Sequence, residues 1–276
     1  MSPPLERYTP PADDPIQRID FAGLAGKKAL ILGIANDQSI AFGCARAMRR
    51  MGAEIALTYL NDKTKPHTQP LAEALDVPPE LYLPCDVRVE GQMEAVFAAI
   101  GQHWGRLDIA MHSIAFAPRE DLHGRVVDCS REGFLTAMDV SCYSFMQMAR
   151  LTEPLMTEGG TLFAMTYYGA ERVVEHYNVM GPVKAALQAA CMYLAAELGP
   201  KGIRVHPISP GPIKTRAASG IDRFDELLET AAERAPERAL STIEDVGVAT
   251  AFLATDYAKM ITGDVMYIDG GYHILG

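Results

Sequence analysis

A chain of 276 residues, 49% hydrophobic and 22% charged, has ordinary globular composition and can bury a sizeable core. Its formal net charge of −10 argues against non-specific nucleic-acid binding, which needs clustered Lys and Arg. Five widely spaced cysteines without a C-x-x-C, and seven histidines without metal-ligand spacing, argue against a disulfide framework or a metal site.

The first twenty residues are rich in proline and charge and lack the apolar centre of a signal peptide. No apolar run approaches the length of a membrane span. The reading is a soluble cytoplasmic protein with a flexible arm over 1–20 and one domain over 21–276.

From Lys28 onward, short β-branched apolar runs alternate with stretches of helical spacing. The first expected strand is Ala29–Leu32. It leads into Gly33, Ala35, Ser39, Ile40 and Gly43, a small-residue turn that opens a helix over Ile40–Met51. Gly33 would turn the chain, Ala35 would allow close backbone approach, and Ser39 would cap the helix. Gly43 would let that helix pack near the sheet. N–H groups at a helix start attract a pyrophosphate.

A second strand, Ile55–Tyr59, is followed by Leu60. A third, Leu81–Pro84, is followed by Cys85, Asp86 and Val87, where Asp86 could accept from an adenine amino group. After a helix over Gly91–Trp104 and a fourth strand, Leu107–His112, come Ser113, Ile114, Ala115, Phe116 and Ala117. Those small residues would let a nicotinamide ribose lie on the backbone.

A long helix is expected over Arg131–Met156, then a fifth strand over Thr161–Thr166 and a second long helix over Tyr177–Leu198. On that helix Tyr177 and Lys184 would lie about 20° apart around the axis and about 10 Å apart along it, sharing one face. A phenol and an ammonium at a strand-end cleft suit a reductase. The ammonium would hold ribose hydroxyls, and the phenol would donate to an oxygen gaining negative charge. The sixth strand, Ile203–Ile208, precedes a Pro- and Gly-rich turn reaching Ile213, Lys214, Thr215, Arg216 and Ala217. A helix pair from about Phe224 to Ala254 and a seventh strand, Val265–Ile268, close the chain before Asp269-Gly270-Gly271.

Unbroken apolar strands alternating with helices imply a parallel sheet covered on both faces. The expected fold is α/β, a single-domain, doubly wound Rossmann-type sheet of about seven strands. Ligands then bind at the carboxyl ends of the strands.

Together these motifs resemble the short-chain dehydrogenase superfamily, with its P-G-P turn and terminal D-G-G. The chain departs from that superfamily's Y-x-x-x-K pattern, since Gly181 stands four residues after Tyr177. The spacing Y-x6-K with Tyr167 upstream, the G-x5-S-I-A-x-G loop, H-S-I-x-F-A-P and Y-N-V-M-G are similar to the bacterial enoyl-acyl-carrier-protein reductases. The resemblance runs from about residue 22 to the C-terminus.

It implies that Tyr167 and Tyr177 carry the two active-site tyrosine roles and Lys184 the cofactor-binding lysine role. It places Gly33, Ser39, Ile40, Asp86, Val87, Ile114 and Ile213 to Ala217 at cofactor contacts, and Ala117 at the substrate. Ala35, Leu60, Ser113 and Ala115 join the expected cofactor contacts, and Met180 joins Ala117, Tyr167 and Tyr177 along the substrate.

The implied reaction is reduction of a trans-2-enoyl thioester on acyl carrier protein. A carbonyl reductase of the same fold, or a non-catalytic nicotinamide-binding protein, remain as alternatives. NADH is expected over NADPH, because Leu60 brings no cation to the end of the second strand, although Lys63 and Lys65 follow closely. Ala115 stands where the family has glycine, and Pro182 falls inside the Y-x6-K segment. A homotetramer is expected from the resemblance, pairing the two long helices across two-fold axes. The segment from Arg216 to Ile221, with Gly220 as a hinge and Phe224, Leu227 and Leu228 beyond it, is read as a mobile lid over the acyl chain.

Overall fold

The computed structural model describes Thr9, Ile16, residues 22–215 and residues 224–275. Seven strands are present: β1 (Lys28–Leu32), β2 (Glu54–Tyr59), β3 (Tyr82–Pro84), β4 (Ile109–His112), β5 (Gly160–Met165), β6 (Ile203–Pro210) and β7 (Met266–Ile268). Their ends fall within two residues of those expected from the apolar runs. All pair in parallel, in the order β3-β2-β1-β4-β5-β6-β7. The order reverses between β1 and β4, which is where a doubly wound sheet opens its ligand crevice.

Alternate residues of each strand enter opposite layers. Ile31, Leu57 and Met111 pack with α1 (Ile40–Arg50), α2 (Lys65–Ala74) and α9 (Ile243–Ala254). Leu30, Leu32, Ala110 and Leu162 pack with α3 (Gln92–Trp104), α6 (Ser144–Thr152) and α7 (Met180–Leu198). Burial on both faces is why the strands read as unbroken apolar runs. Ile16, from the N-terminal region, is buried in the first of these layers.

The helices depart further from expectation. The stretch Arg131–Met156 is not one α-helix. It comprises α5 (Arg131–Met138), a π-helical turn at Asp139–Tyr143, α6, and a 3-10 turn at Glu153–Leu155. The Ser141 hydroxyl accepts from Phe116 N at 3.0 Å and donates to Phe116 O at 3.2 Å, which ties the widened turn to the segment after β4. Pro154 has no N–H to continue α6.

The second long helix begins at Met180, not Tyr177. Tyr177 lies in a turn between His176 and Asn178, which both have positive φ. The shared helix face expected for Tyr177 and Lys184 therefore does not exist. Pro182 occupies the third position of α7, where the backbone N–H would have no intrahelical partner.

Two helices were not expected: α2, which contains Pro70, and the five-residue α4 (Arg119–His123). The pair near the C-terminus is present as α8 (Phe224–Arg234) and α9.

Candidate active site

The first glycine is fixed by the switch point itself. Gly33 has φ +102°, and a Cβ there would lie 2.1 Å from Ser113 O. β1 and β4 thus converge on a spot that only glycine fits. Ser39 stands at the N-cap of α1, but its hydroxyl makes no capping bond to the helix. It accepts instead from Ala35 N at 3.0 Å and Asn36 N at 3.1 Å, folding the loop back on itself. The N–H groups that open α1 are left without intrahelical partners. Gly43 meets α9 rather than the sheet: its Cβ would lie 2.1 Å from Ile243 O.

A cleft of about 770 Å³ opens at the carboxyl ends of β1, β4, β5 and β6. Its size suits a small-molecule or cofactor site. Gly33, Ala35, Ser39, Ile40, Ser113, Ile114, Ala115 and Ala117 line it, as do Tyr167, Tyr177, Met180, Lys184, Ile213 and Thr215.

Leu60, Asp86, Val87 and Lys214 are not among the lining residues. Leu60 is exposed beyond β2. Asp86 accepts from both Arg88 Nε (3.0 Å) and Nη2 (2.8 Å), and this pairing lowers its pKa. Lys214 pairs with Asp225 at 3.0 Å. Arg216, Ala217 and most of the proposed lid lie outside the described residues; Phe224, just beyond, lines the cleft.

The reactive groups cluster on one wall. The rings of Tyr167 and Tyr177 meet edge to face, with centroids 4.9 Å apart. Burial, then the neighbouring Tyr167, raises the pKa of Tyr177, so its phenol stays protonated at neutral pH and can donate. Burial also raises the Tyr167 phenol, whose buried hydroxyl has no hydrogen-bond partner among the described residues.

Lys184 reaches across from α7 and donates to Met165 O at 2.6 Å. Burial pulls its pKa down from 10.5 to about 8. Below it, Ser144 Oγ donates to Val140 O at 2.7 Å, so it accepts from His112 Nε2 at 2.7 Å. Burial, and then the Lys184 charge, hold His112 at about 3, so this imidazole is neutral. The positive charge in this part of the site therefore rests on Lys184.

Phe116 and the Pro210–Pro212 turn, both in segments expected beside the cofactor, also line the cleft, and Arg119, Leu122, His123, Met165 and Thr166 line it without having been singled out from the sequence. Arg119, Leu122 and His123 carry a signal that was available, the i, i+3, i+4 spacing of one helix face. Thr166 accepts from Gln188 Nε2 at 3.2 Å, anchoring the end of β5 to α7.

A model of the enoyl-(acyl carrier protein) reductase family matches residues 33–273. The chain belongs to that family. It is 45% identical to the NADH-labelled enoyl-acyl-carrier-protein reductase 1 of Rhizobium meliloti strain 1021, over 91% of this chain and 92% of that protein. It is also 45% identical to the Bacillus cereus NADH-labelled reductase, over 92% of this chain and 99% of the relative.

Solved family structures superpose closely. The Anaplasma phagocytophilum reductase in complex with NAD gives a TM-score of 0.88 at 46% identity, covering 92% of this chain and 96% of that one. The Bacillus cereus reductase with NADP+ and indole naphthyridinone gives 0.89 at 45% identity, covering 92% and 98%. The reductase family thus accounts for both the sheet and the departure from Y-x-x-x-K.

Proposed function

We propose that this reductase uses NADH to reduce trans-2-enoyl thioesters carried on acyl carrier protein, the last reductive step of fatty acid elongation. The observation that carries the reading is the cleft wall on which a protonated Tyr177 and a buried Lys184 face the space beside Tyr167. A bound nicotinamide supplies the hydride.

The chain supplies the rest. Gly33, Ala35 and the start of α1 fit a pyrophosphate, and Ser113 to Ala115 fit the ribose and nicotinamide side. Lys184 holds ribose hydroxyls and positive charge. Tyr177 donates to the thioester oxygen as that oxygen gains negative charge. Ala117, Tyr167 and Met180 give the acyl chain an apolar wall that keeps water away.

NADH is favoured at the end of β2. Leu60 carries no charge, and the Lys65 ammonium sits over the Tyr59 ring, 5.3 Å from its centroid. No described helix is long and apolar enough to cross a membrane. We further propose a cytoplasmic homotetramer and a catalytic domain of 21–276, against whose core the N-terminal arm of 1–20 lays Ile16.

The deciding assay follows cofactor oxidation with crotonyl and acetoacetyl thioesters. Reduction of the enoyl substrate alone is expected. Turnover of the ketone instead would make the protein a carbonyl reductase, and cofactor binding without turnover would make it a binding protein. A tenfold preference for NADPH in kcat/KM would overturn the cofactor assignment.

A further inference from the structure

The cleft has an unusual charge balance. The whole chain carries a formal net charge of −10, yet among the described residues no Asp or Glu lines the cleft. Its inner cation, Lys184, is buried. At the rim stand the exposed Arg119 and His123, with Leu122 between them.

Helix geometry explains this sorting. In α4, Arg119, Leu122 and His123 occupy i, i+3 and i+4 and share the face turned to the cleft. Glu120 and Asp121 fall on the other side. Asp121 accepts from the Ser130 N–H at 2.6 Å and from its hydroxyl at 3.2 Å, so its charge is committed to the start of α5.

The helix is also held in register with the reactive wall. Asn178 Nδ2, one residue after Tyr177, donates to Leu122 O at 2.7 Å. The Arg119 guanidinium makes no ion pair among the described residues. Among the described residues it is a cation without an ion-pair partner at the mouth of a cleft that no carboxylate lines.

We propose that Arg119 anchors the phosphate of the 4′-phosphopantetheine arm carrying the acyl thioester. This rests on the enoyl-reductase reading, and deepens it by assigning a substrate-recognition residue. An arm lying along Leu122 leads from the rim toward Tyr177 and leaves its phosphate at the guanidinium. Arginine suits the task because its fork of N–H donors matches phosphate oxygens.

The test compares enoyl thioesters of pantetheine, 4′-phosphopantetheine and coenzyme A in wild type, Arg119→Ala and Arg119→Lys. Arg119→Ala is expected to raise KM for the two phosphorylated substrates about tenfold more than for the pantetheine thioester, with kcat little moved. Arg119→Lys should restore most of the difference. An equal effect on all three substrates would overturn the proposal. A penalty confined to coenzyme A would assign Arg119 to nucleotide phosphates, and would overturn it too.

A wild type that turns over none of the thioesters would sink the enoyl-reductase reading instead. Binding of 4′-phosphopantetheine and pantetheine to the NADH-loaded protein, by titration calorimetry, then still decides the anchor. Tighter binding of the phosphorylated form, lost in Arg119→Ala, supports it; equal binding of both forms overturns it.

Discussion

In the proposed reaction Tyr177 and Lys184 divide the electrostatic labour between a neutral donor and a cation. Because burial keeps the Tyr177 phenol protonated, its proposed contribution is a hydrogen bond to developing charge. Tyr177→Phe removes that donor while keeping the ring against Tyr167. Turnover should fall about a hundredfold, with NADH affinity nearly unchanged. Activity within about threefold of wild type would remove Tyr177 from this role. Lys184 adds a pH signature. Burial holds its pKa near 8 instead of 10.5, so the cofactor-free protein carries the ammonium below about pH 8 and loses it above. Hence kcat/KM for NADH should decline as pH rises through about 8. Stability moves the other way. Between about 8 and 10.5 the unfolded chain still holds the proton that the folded chain has released, so stability rises with pH there. A thermal-unfolding series should show this rise in wild type and not in Lys184→Met; a flat wild-type profile would contradict the burial argument. The presence of Tyr167, Tyr177 and Lys184 in one cleft was legible because they sit in a distinctive spacing after an apolar run. Arg119 and His123 were not singled out: with Leu122 they hold the i, i+3, i+4 spacing of a helix face, but a five-residue helix shows that spacing only once.

At the scale of elements, strands were legible and helix boundaries were not, for a physical reason. A strand buried on both faces needs an apolar residue at every position, as Ala29 to Leu32 show, each fully buried. Helix ends depend instead on contacts that no local pattern reveals. The π-turn exists where Ser141 bonds the backbone of Phe116, 25 residues away. α7 starts late because His176 and Asn178, on either side of Tyr177, have left-handed φ and the Asn178 side chain is tied to Leu122. α2 continues through Pro70, a residue that by itself disfavours a helix interior. The same logic corrects Gly43. It serves the crossing of α1 and α9, where Gly43 meets Ile243 O and a Cβ on Gly247 would lie 2.4 Å from Gly43 O. Two glycines let the backbones touch, and the contact fixes α1, whose first turn borders the cleft. Gly43→Ala must push α1 away from a backbone carbonyl that cannot yield. It should cost about 1–3 kcal/mol, roughly 2–4 °C in Tm per kcal/mol for a chain of this size. NADH affinity should weaken with it, because the N–H groups at the start of α1 shift. An unchanged Tm together with an unchanged NADH dissociation constant would show that the crossing absorbs the methyl group freely.

The whole molecule leaves apolar side chains uncovered on two opposite layers. On one, Phe134 and Leu135 of α5, Tyr143 and Met146 at the π-turn and α6, and Met192 and Tyr193 of α7 are exposed. On the other, Val248 and Phe252 of α9 are exposed, with Tyr257 and Met260 just beyond. Scattered exposed apolar residues need no explanation, but several on adjacent helices of one layer mark an interface. Two such faces on opposite layers fit two isologous contacts, and two perpendicular two-fold contacts close a tetramer. In the proposed tetramer one side of α5 to α7 serves the sheet and another a neighbouring copy, which fits stretches that are apolar on more than one side. Because an isologous interface brings a residue near its own copy, one added charge is repeated across the axis. Tyr193→Glu should therefore split the assembly at the first face, and Phe252→Glu at the second, each leaving dimers. Light scattering at micromolar concentration should give four times the 30.0 kDa chain mass for wild type and half of that for each variant. A wild type that runs as a monomer would refute the tetramer. Variants that both remain tetrameric would show that these two faces are not the ones that pair.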